Sequence, residues 1–227
     1  MGIAVYSQAV PWSLNDIQLS NTAMNRLIYI IALVCLMSPT VALAAAGSYS
    51  SGDRLTSKSR LSKESQAIFY YNDGLAQRDK ATKYEQKAAK YDRQDKSHKK
   101  FLAKADKAYR KAIEKYKRAL NYDNQMFQAH TSLGYALRKI GLFDESLMSY
   151  ENALHINPNY AEAIEYKAQA HLQLHQYDEV KRSYLTLRRD HPEYADKLST
   201  AIKNWLRNNG KNRSNRLQAF AQWASYL

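Results

Sequence analysis

Residues 130–158 read HTSLGYALRKIGLFDESLMSYENALHINP and decide the fold of this 227-residue chain. The pattern returns 34 positions later, where Tyr184 corresponds to Tyr150 and Pro192 to Pro158. Within each period the apolar residues fall at helical spacing in two runs, which a short turn separates and the proline closes. Each period therefore predicts a helical hairpin. Because one hairpin cannot bury both apolar faces alone, successive hairpins are expected to stack into a solenoid.

The composition of the chain also indicates helices. Seven Gly and four Pro in the whole chain leave too few turn residues for a β-sandwich or a β-barrel. The only cysteine, Cys35, excludes a disulfide framework and a cysteine metal cluster within the chain. We therefore expect an all-α protein.

The repeat resembles the tetratricopeptide repeat (TPR) family. The resemblance is carried by His130, Leu133, Gly134, Leu137, Gly141, Phe143, Ser146, Tyr150, Ala153 and Pro158. Gly134 and Ala153 match the small residues at which the paired helices of that family approach closely. The resemblance implies a short TPR-like solenoid that holds proteins together without catalysis. Residues 127–160 and 161–194 are the two regular repeats of this prediction, and residues 195–227 supply capping helices.

An earlier repeat, residues 66–126, is predicted to be split. Its second helix includes Tyr109, whereas the matching first helix lies upstream, around Gly74. In this register, Lys80 and Tyr109 are 29 positions apart, whereas the equivalent residues of a regular repeat are 3 positions apart. The split repeat therefore contains 26 inserted residues.

The inserted residues predict an antiparallel helical hairpin that protrudes from the solenoid. A seven-residue pattern alternates large and small residues, with Tyr84 and Ala88 on one arm and Leu102 and Ala105 on the other. One continuous helix would also keep this stripe aligned, because no Gly or Pro marks a turn near Asp95. The hairpin is favoured because the repeat needs its first helix folded back.

Positive charge is concentrated on this split repeat. Residues 53–126 contain 20 Lys+Arg and 10 Asp+Glu, a net charge of +10, whereas residues 127–227 contain 13 and 10, a net charge of +3. The cations off the tyrosine–alanine stripe predict a basic prong: Lys83, Lys87, Lys90, Arg93, Lys96, Lys99, Lys100 and Lys104. A solvated face and a surface for an acidic protein or an anionic lipid both remain open. Nucleic acid is not expected, because the intervening tyrosines belong to the buried stripe.

The TPR resemblance implies that a protein partner lies in the solenoid groove and contacts residues that project from each first helix. These positions are Tyr71, Leu75, Arg78, Gln128, Thr131, Tyr135, Arg138, Lys139, Glu162, Glu165, Gln169, Leu172 and Gln173. The family's clamp for chaperone tails needs Lys and Asn where this chain has Tyr71, Leu75 and Ser132, so that ligand is not expected.

No catalytic, metal or cofactor site is expected. His171 and His175 lie four positions apart, but no third ligand has a suitable spacing. The chain contains no G-x-S-x-G, H-E-x-x-H, phosphate-loop or dinucleotide fingerprint.

Residues 1–46 predict a secretory signal. Arg26 precedes the apolar run of residues 27–37, and an A-x-A motif follows within residues 42–46. Met24 is the preferred start, because the residues before it include no basic residue. Cleavage is favoured over an uncleaved anchor, since eleven apolar residues are fewer than the about 20 that a spanning helix needs.

The predicted export determines the expected place of action. Residues 47–65 are rich in serine and predict a flexible tether. The protein is expected in the periplasm or at the envelope of a bacterium, as a scaffold within an envelope complex. The alternative is a cationic module that binds an anionic membrane or another polyanion.

Overall fold

The computed structural model describes residues 62–209 and 214–227, and these form α-helices without any strand. The helices are α1 (Lys63–Ala88), α2 (Lys96–Tyr122), α3 (Phe127–Lys139), α4 (Phe143–Ile156), α5 (Ala161–Gln173), α6 (Tyr177–Asp190), α7 (Pro192–Asn209) and α8 (Asn215–Ala224). The all-α prediction is confirmed.

The signal predicted in residues 1–46 lies outside the described residues, as does most of the predicted tether. The end of that tether is helical, because α1 already begins at Lys63. Ser62 caps this helix by accepting a hydrogen bond from Ser65 N at 3.2 Å. No helix in the described part of the chain has both the length and the apolar character needed to cross a bilayer.

The two regular repeats have the same boundaries, shifted by one period. Each end of α3 and α4 recurs 34 positions later as an end of α5 and α6. The turn inside each repeat is also shared. Gly141 has a φ of 84°, and Leu142 N donates to Leu137 O at 3.0 Å, which satisfies a free carbonyl at the end of α3. His175 occupies the equivalent position with a φ of 58°.

Glycine–tyrosine contacts fix the distance between paired helices. A Cβ built on Gly134 would lie 2.6 Å from Tyr150 Cε1, so only glycine fits between α3 and α4. Gly74 meets Tyr116 in the same way between α1 and α2. The first pair is 16 positions apart and the second is 42 apart, and the difference is the 26 residues inferred from the sequence. Helices α1 and α2 therefore make the contact of a regular repeat across a longer connection.

Helices α1 and α2 pack antiparallel along their length. Lys115 Nζ pairs with Asp73 Oδ2 at 2.8 Å, and Tyr109 Oη donates to Glu85 Oε2 at 3.1 Å. Nearer the turn, His98 Nδ1 lies 3.0 Å from the carbonyl oxygen of Ala88. The chain thus reverses between α1 and α2, and the continuous helix does not form. That the hairpin protrudes from the solenoid stays a prediction.

The predicted stripe holds along the paired helices and fails in part beside the turn. Ala81, Ala88 and Ala105 are buried as the pattern requires, but Tyr91 and Leu102, which the pattern also places inside, are each 43% exposed. Phe101 takes the place predicted for Leu102, and its ring stacks on the rings of Tyr84 and Tyr91. The seven-residue pattern thus does not identify the inward residues beside the turn.

Helices α7 and α8 cover the last repeat. Their buried apolar residues form one core with those of α5 and α6: Ala161, Ala168, Leu172, Tyr177, Val180, Leu187, Ala195, Leu198, Ile202, Trp205, Leu217, Phe220 and Ala224. The ring of Phe220 stacks on that of Tyr177 with centroids 4.5 Å apart and an interplanar angle of 17°. Trp205, Phe220 and Trp223 therefore serve packing, as in an end cap of a solenoid.

Candidate binding groove

A cleft of about 570 Å³ opens where the first helices of the three repeats meet. Helix α1 supplies Arg78, Asp79, Thr82, Lys83 and Gln86, α3 supplies Tyr135, and α5 supplies Glu162 and Tyr166. Three of the predicted groove residues, Arg78, Tyr135 and Glu162, thus lie together. The cleft also brings together both signs of charge and two tyrosine rings.

The tyrosine rings beside the cleft form a continuous row across successive helices. The Tyr135 ring centroid lies 6.2 Å from that of Tyr109 and 5.1 Å from that of Tyr166, which in turn lies 6.3 Å from that of Tyr150. Burial raises the pKa of Tyr166, and the charges of Glu162 and Glu165 raise it further. The Tyr166 hydroxyl is therefore protonated at neutral pH and can donate a hydrogen bond.

Arg138 lies between two of these rings. Its Cζ is 5.4 Å from the ring centroid of Tyr135 and 5.6 Å from that of Tyr166, within the range of cation–π attraction. Its Nε and the Tyr150 hydroxyl are buried, and neither has a hydrogen-bond partner among the described residues. Burial raises the pKa of Tyr150, whereas the positive charge of Arg138 opposes that rise. Arg138 thus packs against two aromatic rings next to the cleft.

Thr131 and Glu165 are polar residues of the predicted groove, but both are buried and do not offer their side chains to a ligand. Thr131 is 2% exposed, and its hydroxyl donates to the Phe127 carbonyl at 2.9 Å within its own helix. Glu165 is 3% exposed and accepts a hydrogen bond from Gln169. Burial raises the pKa of Glu165, which Gln169 and the charge of Arg138 oppose. Both predictions fail as direct contacts because neighbouring packing covers these positions.

The remaining predicted groove residues differ in how much they expose. Gln128 and Gln173 are exposed, Leu75 is half-buried and Leu172 is buried. Tyr71 is half-buried with its ring centroid 5.9 Å from that of Tyr116. Lys139 Nζ pairs with Glu85 Oε1 at 2.7 Å and thereby links α3 to the hairpin.

Several residues of the cleft were not predicted, although the sequence carries a signal for them. Tyr166 follows Glu162 by four positions and therefore shares its helical face. Thr82 and Gln86 follow Arg78 at the same spacing, but this stretch belongs to the predicted prong. Lys83, a predicted prong residue, lies in the cleft as well. Because α1 is twice as long as α3, its groove face continues past the end of a standard first helix.

The other predicted prong cations are exposed near the turn of the hairpin. Lys104 Nζ lies 5.7 Å from the ring centroid of Tyr84 and 5.5 Å from that of Phe101. Ion pairs and ring contacts join the hairpin to later helices within the described ranges. The hairpin residues nearest the turn that make such contacts are Glu85 on α1 and Tyr109 on α2. We define the hairpin tip as residues 87–104.

The two histidines considered as metal ligands have different partners. His171 Nδ1 lies 2.5 Å from Gln176 Oε1, and His175 Nδ1 lies 3.0 Å from the Tyr177 hydroxyl. The imidazole of His175 also packs edge-on against Trp205, with centroids 5.4 Å apart. Both histidines therefore contribute to the packing of the last repeat and its cap.

The chain matches no family model and no curated protein. Among solved structures, it is similar to the TPR2B-domain:pHsp70 complex of yeast Sti1, with 17% identity and a TM-score of 0.41, covering 57% of this chain and 98% of that chain. It is also similar to MamA, with 19% identity and a TM-score of 0.40, covering 56% of this chain and 76% of that chain. The fold is a TPR-like helical solenoid, and this description rests on the chain's own repeat boundaries and glycine–tyrosine contacts.

Proposed function

We propose that this protein is a non-catalytic scaffold that binds a protein partner in the cleft between its first helices. The supporting observation is the convergence of Arg78, Tyr135, Glu162 and Tyr166 from three successive first helices on one open cleft. Tyrosine and arginine are among the residue types that contribute most to protein interfaces. Side chains from separate repeats can grip one extended segment of a partner along the groove.

The cleft holds its charged groups in defined positions. Arg78 donates to Asp79 Oδ1 from Nε at 3.2 Å and from Nη2 at 3.0 Å. The Tyr160 hydroxyl donates to Glu162 Oε2 at 2.6 Å. Prior ordering of such groups reduces the entropy lost on binding. Because cations and carboxylates both line the cleft, the favoured partner segment is polar and carries both donors and acceptors.

A scaffold role agrees with the chemistry of the ionisable groups. Arg78 is engaged by its neighbouring carboxylate, and Tyr166 has a raised pKa that makes it a poor general base. The proposed place of action, an envelope complex, rests on the signal predicted in residues 1–46 and on no described residue. The anionic-membrane alternative concerns the prong cations other than Lys83, which do not line the cleft.

Substitutions in the cleft are expected to release the partner without unfolding the protein. Tyr135→Ala and Arg78→Ala each remove a side chain at the cleft, and a loss of 10-fold or more in bound partner is expected if these act as interface hot spots, which contribute about 2 kcal/mol or more. The measurement is quantitative mass spectrometry of proteins recovered with the full-length chain after crosslinking in cells.

Matched controls are available on the second helices of the repeats. Met148 is 65% exposed and Leu185 is 62% exposed, and neither lines the cleft. Met148→Ala and Leu185→Ala should leave recovery of the same partner unchanged, and circular dichroism should show equal helix content in all variants. Loss of the partner in the controls alone would reject the groove as its site.

A further inference from the structure

One flank of the hairpin carries a row of lysines along α2. Lys104, Lys107 and Lys111 follow one another at intervals of three and four positions, so they share one face of the helix. Lys100 precedes Lys104 by four positions on that face, and all four side chains are exposed. The row extends for about 16 Å at 1.5 Å per residue. These lysines therefore present a line of positive charge with the spacing of an α-helix.

Three of these lysines border a furrow between α1 and α2. This lysine furrow has a volume of about 190 Å³ and is lined by Gln77, Lys80, Tyr84, Lys104, Lys107, Ala108 and Lys111. Ala108 is buried and Tyr84 is half-buried, whereas the four lysines that line the furrow are exposed. The furrow thus has an apolar floor between cationic rims, Lys80 on α1 and the other lysines on α2.

The positive charge of the lysine furrow is not neutralised within the described ranges. No carboxylate lines the furrow, and none of its four lysines forms an ion pair with a described residue. The nearby carboxylates are engaged elsewhere, since Asp106 pairs with Arg110 at 2.9 Å and Asp73 pairs with Lys115 at 2.8 Å. Like charges around one furrow repel one another, and carboxylates placed among them would remove that repulsion.

The lysine furrow lies on the flank of the hairpin opposite to α3. On the α3 side, Ile113 shares a core with Leu133 and Leu137. Ile113 follows Lys111 by two positions and therefore faces away from the furrow. Helices α1 and α2 alone line the furrow. Because an internal hairpin of a solenoid is covered by neighbours on both flanks, the furrow occupies the place where a helix of a further repeat would pack.

We propose that the lysine furrow binds an acidic amphipathic helix of a second protein partner. Carboxylates at intervals of three and four positions on such a helix can meet Lys104, Lys107 and Lys111 in turn, because the two helices have the same spacing. An apolar side chain between those carboxylates would lie against Tyr84 and Ala108, as in other helix-in-groove complexes. The furrow and the cleft share no residue, so two partners can be bound together.

Other occupants fit the lysine furrow less well. Residues 1–61 contain four basic and two acidic residues, so this preceding segment does not complement the lysines in charge. A flat bilayer would reach the cationic rims without filling the floor, and the exposed Leu102 is two positions from Lys104 and thus on another face. Single-stranded nucleic acid stacks bases on free rings, whereas Tyr84 already stacks on Phe101 at an interplanar angle of 24°.

The first test compares two designed peptides on the full-length wild-type protein. The probe is a fluorescent, alanine-rich helical peptide with Glu at the spacing of the lysine row and Leu between them on the same face. The control peptide has the same composition with its Glu residues distributed around the helix. Fluorescence anisotropy at physiological salt should show about 10-fold tighter binding of the probe, in line with several exposed ion pairs made together. Equal binding of both peptides, or no binding of the probe, would overturn the proposal.

The second test removes the lysine row. Lys104, Lys107 and Lys111 changed together to Gln should weaken binding of the probe about 10-fold. The matched control changes Lys63, Lys117 and Lys203, which are exposed and lie outside the furrow, and should leave the affinity within about twofold because distant charges are screened. Equal losses in the two triple variants would contradict the proposal.

The same assay separates the remaining alternatives. Anionic phosphatidylglycerol vesicles or a single-stranded oligonucleotide that bind more tightly than the probe, and lose binding in the row variant alone, would assign the furrow to that ligand and overturn the proposal. Lys and Gln have similar helix propensities, so circular dichroism should show both variants folded. If the row variant is unfolded, the two peptides on the wild-type protein decide the outcome. Tyr135→Ala should not change binding of the probe, which distinguishes the furrow from the cleft.

Discussion

Gly134→Leu is expected to lower the free energy of unfolding by about 3 kcal/mol or more. A Cβ at this position would already lie 2.6 to 2.9 Å from three atoms of the Tyr150 ring, and Tyr150 is fully buried and cannot move aside. Overpacking typically costs about 1 to 3 kcal/mol, and the clash here exceeds any gain in helix propensity, about 1 kcal/mol, from replacing glycine. Urea denaturation followed by circular dichroism measures the effect.

Two other glycines make this prediction specific. Gly74→Leu should cost as much, because Gly74 faces the buried ring of Tyr116 in the split repeat. Gly141→Ala should cost only about 1 kcal/mol, because nothing lies within 4 Å of an added Cβ and the loss arises from its φ of 84° alone. If Gly134→Leu is tolerated, the assigned repeat register is wrong. If Gly74→Leu is tolerated, α1 does not pair with α2 as the first helix of the split repeat.

Phe220→Ala is expected to lower the free energy of unfolding by about 3 to 5 kcal/mol. Phe220 is 1% exposed and stacks on both Tyr177 and Trp223. Removing a buried phenylalanine loses the transfer energy of its ring and leaves a cavity. Since whole domains are stable by about 5 to 15 kcal/mol, such a loss should be evident as a large fall in the thermal midpoint.

Tyr226 provides the control for the cap, because it is 81% exposed at the same end of the chain. Tyr226→Ala should leave the midpoint within a degree or two, as surface substitutions change stability by less than about 0.5 kcal/mol. A small effect of Phe220→Ala would show that α8 does not form part of the cooperative core.

The sequence predicts the fold well because one physical requirement repeats along the chain. Each hairpin must place a small residue against a large one, so the spacing of Gly134 and Tyr150 also locates Gly74 and Tyr116 across the longer connection. Helix boundaries follow for the same reason, because the turn at Gly141 recurs at His175.

The candidate site was harder to predict because exposure depends on neighbouring helices. Thr131 and Glu165 occupy positions that were predicted from the repeat pattern to face the groove, yet packing covers both. Tyr166 lines the cleft although it was not among the groove residues predicted from the sequence. At the hairpin tip, the ring of Phe101 stacks on α1 in the place predicted for Leu102, a choice between neighbouring residues that the seven-residue pattern does not resolve.

The measurement that tests the groove most directly is site-specific photocrosslinking in cells. A photoreactive amino acid replaces Tyr135 in the cleft or, as the matched control, Met148 on the exposed face of α4. We predict a discrete crosslinked protein from position 135 that weakens when Arg78→Ala is added, and none of that species from position 148. The same crosslinked protein from position 148 alone, or none from position 135, would contradict the assignment of the cleft as the partner-binding site.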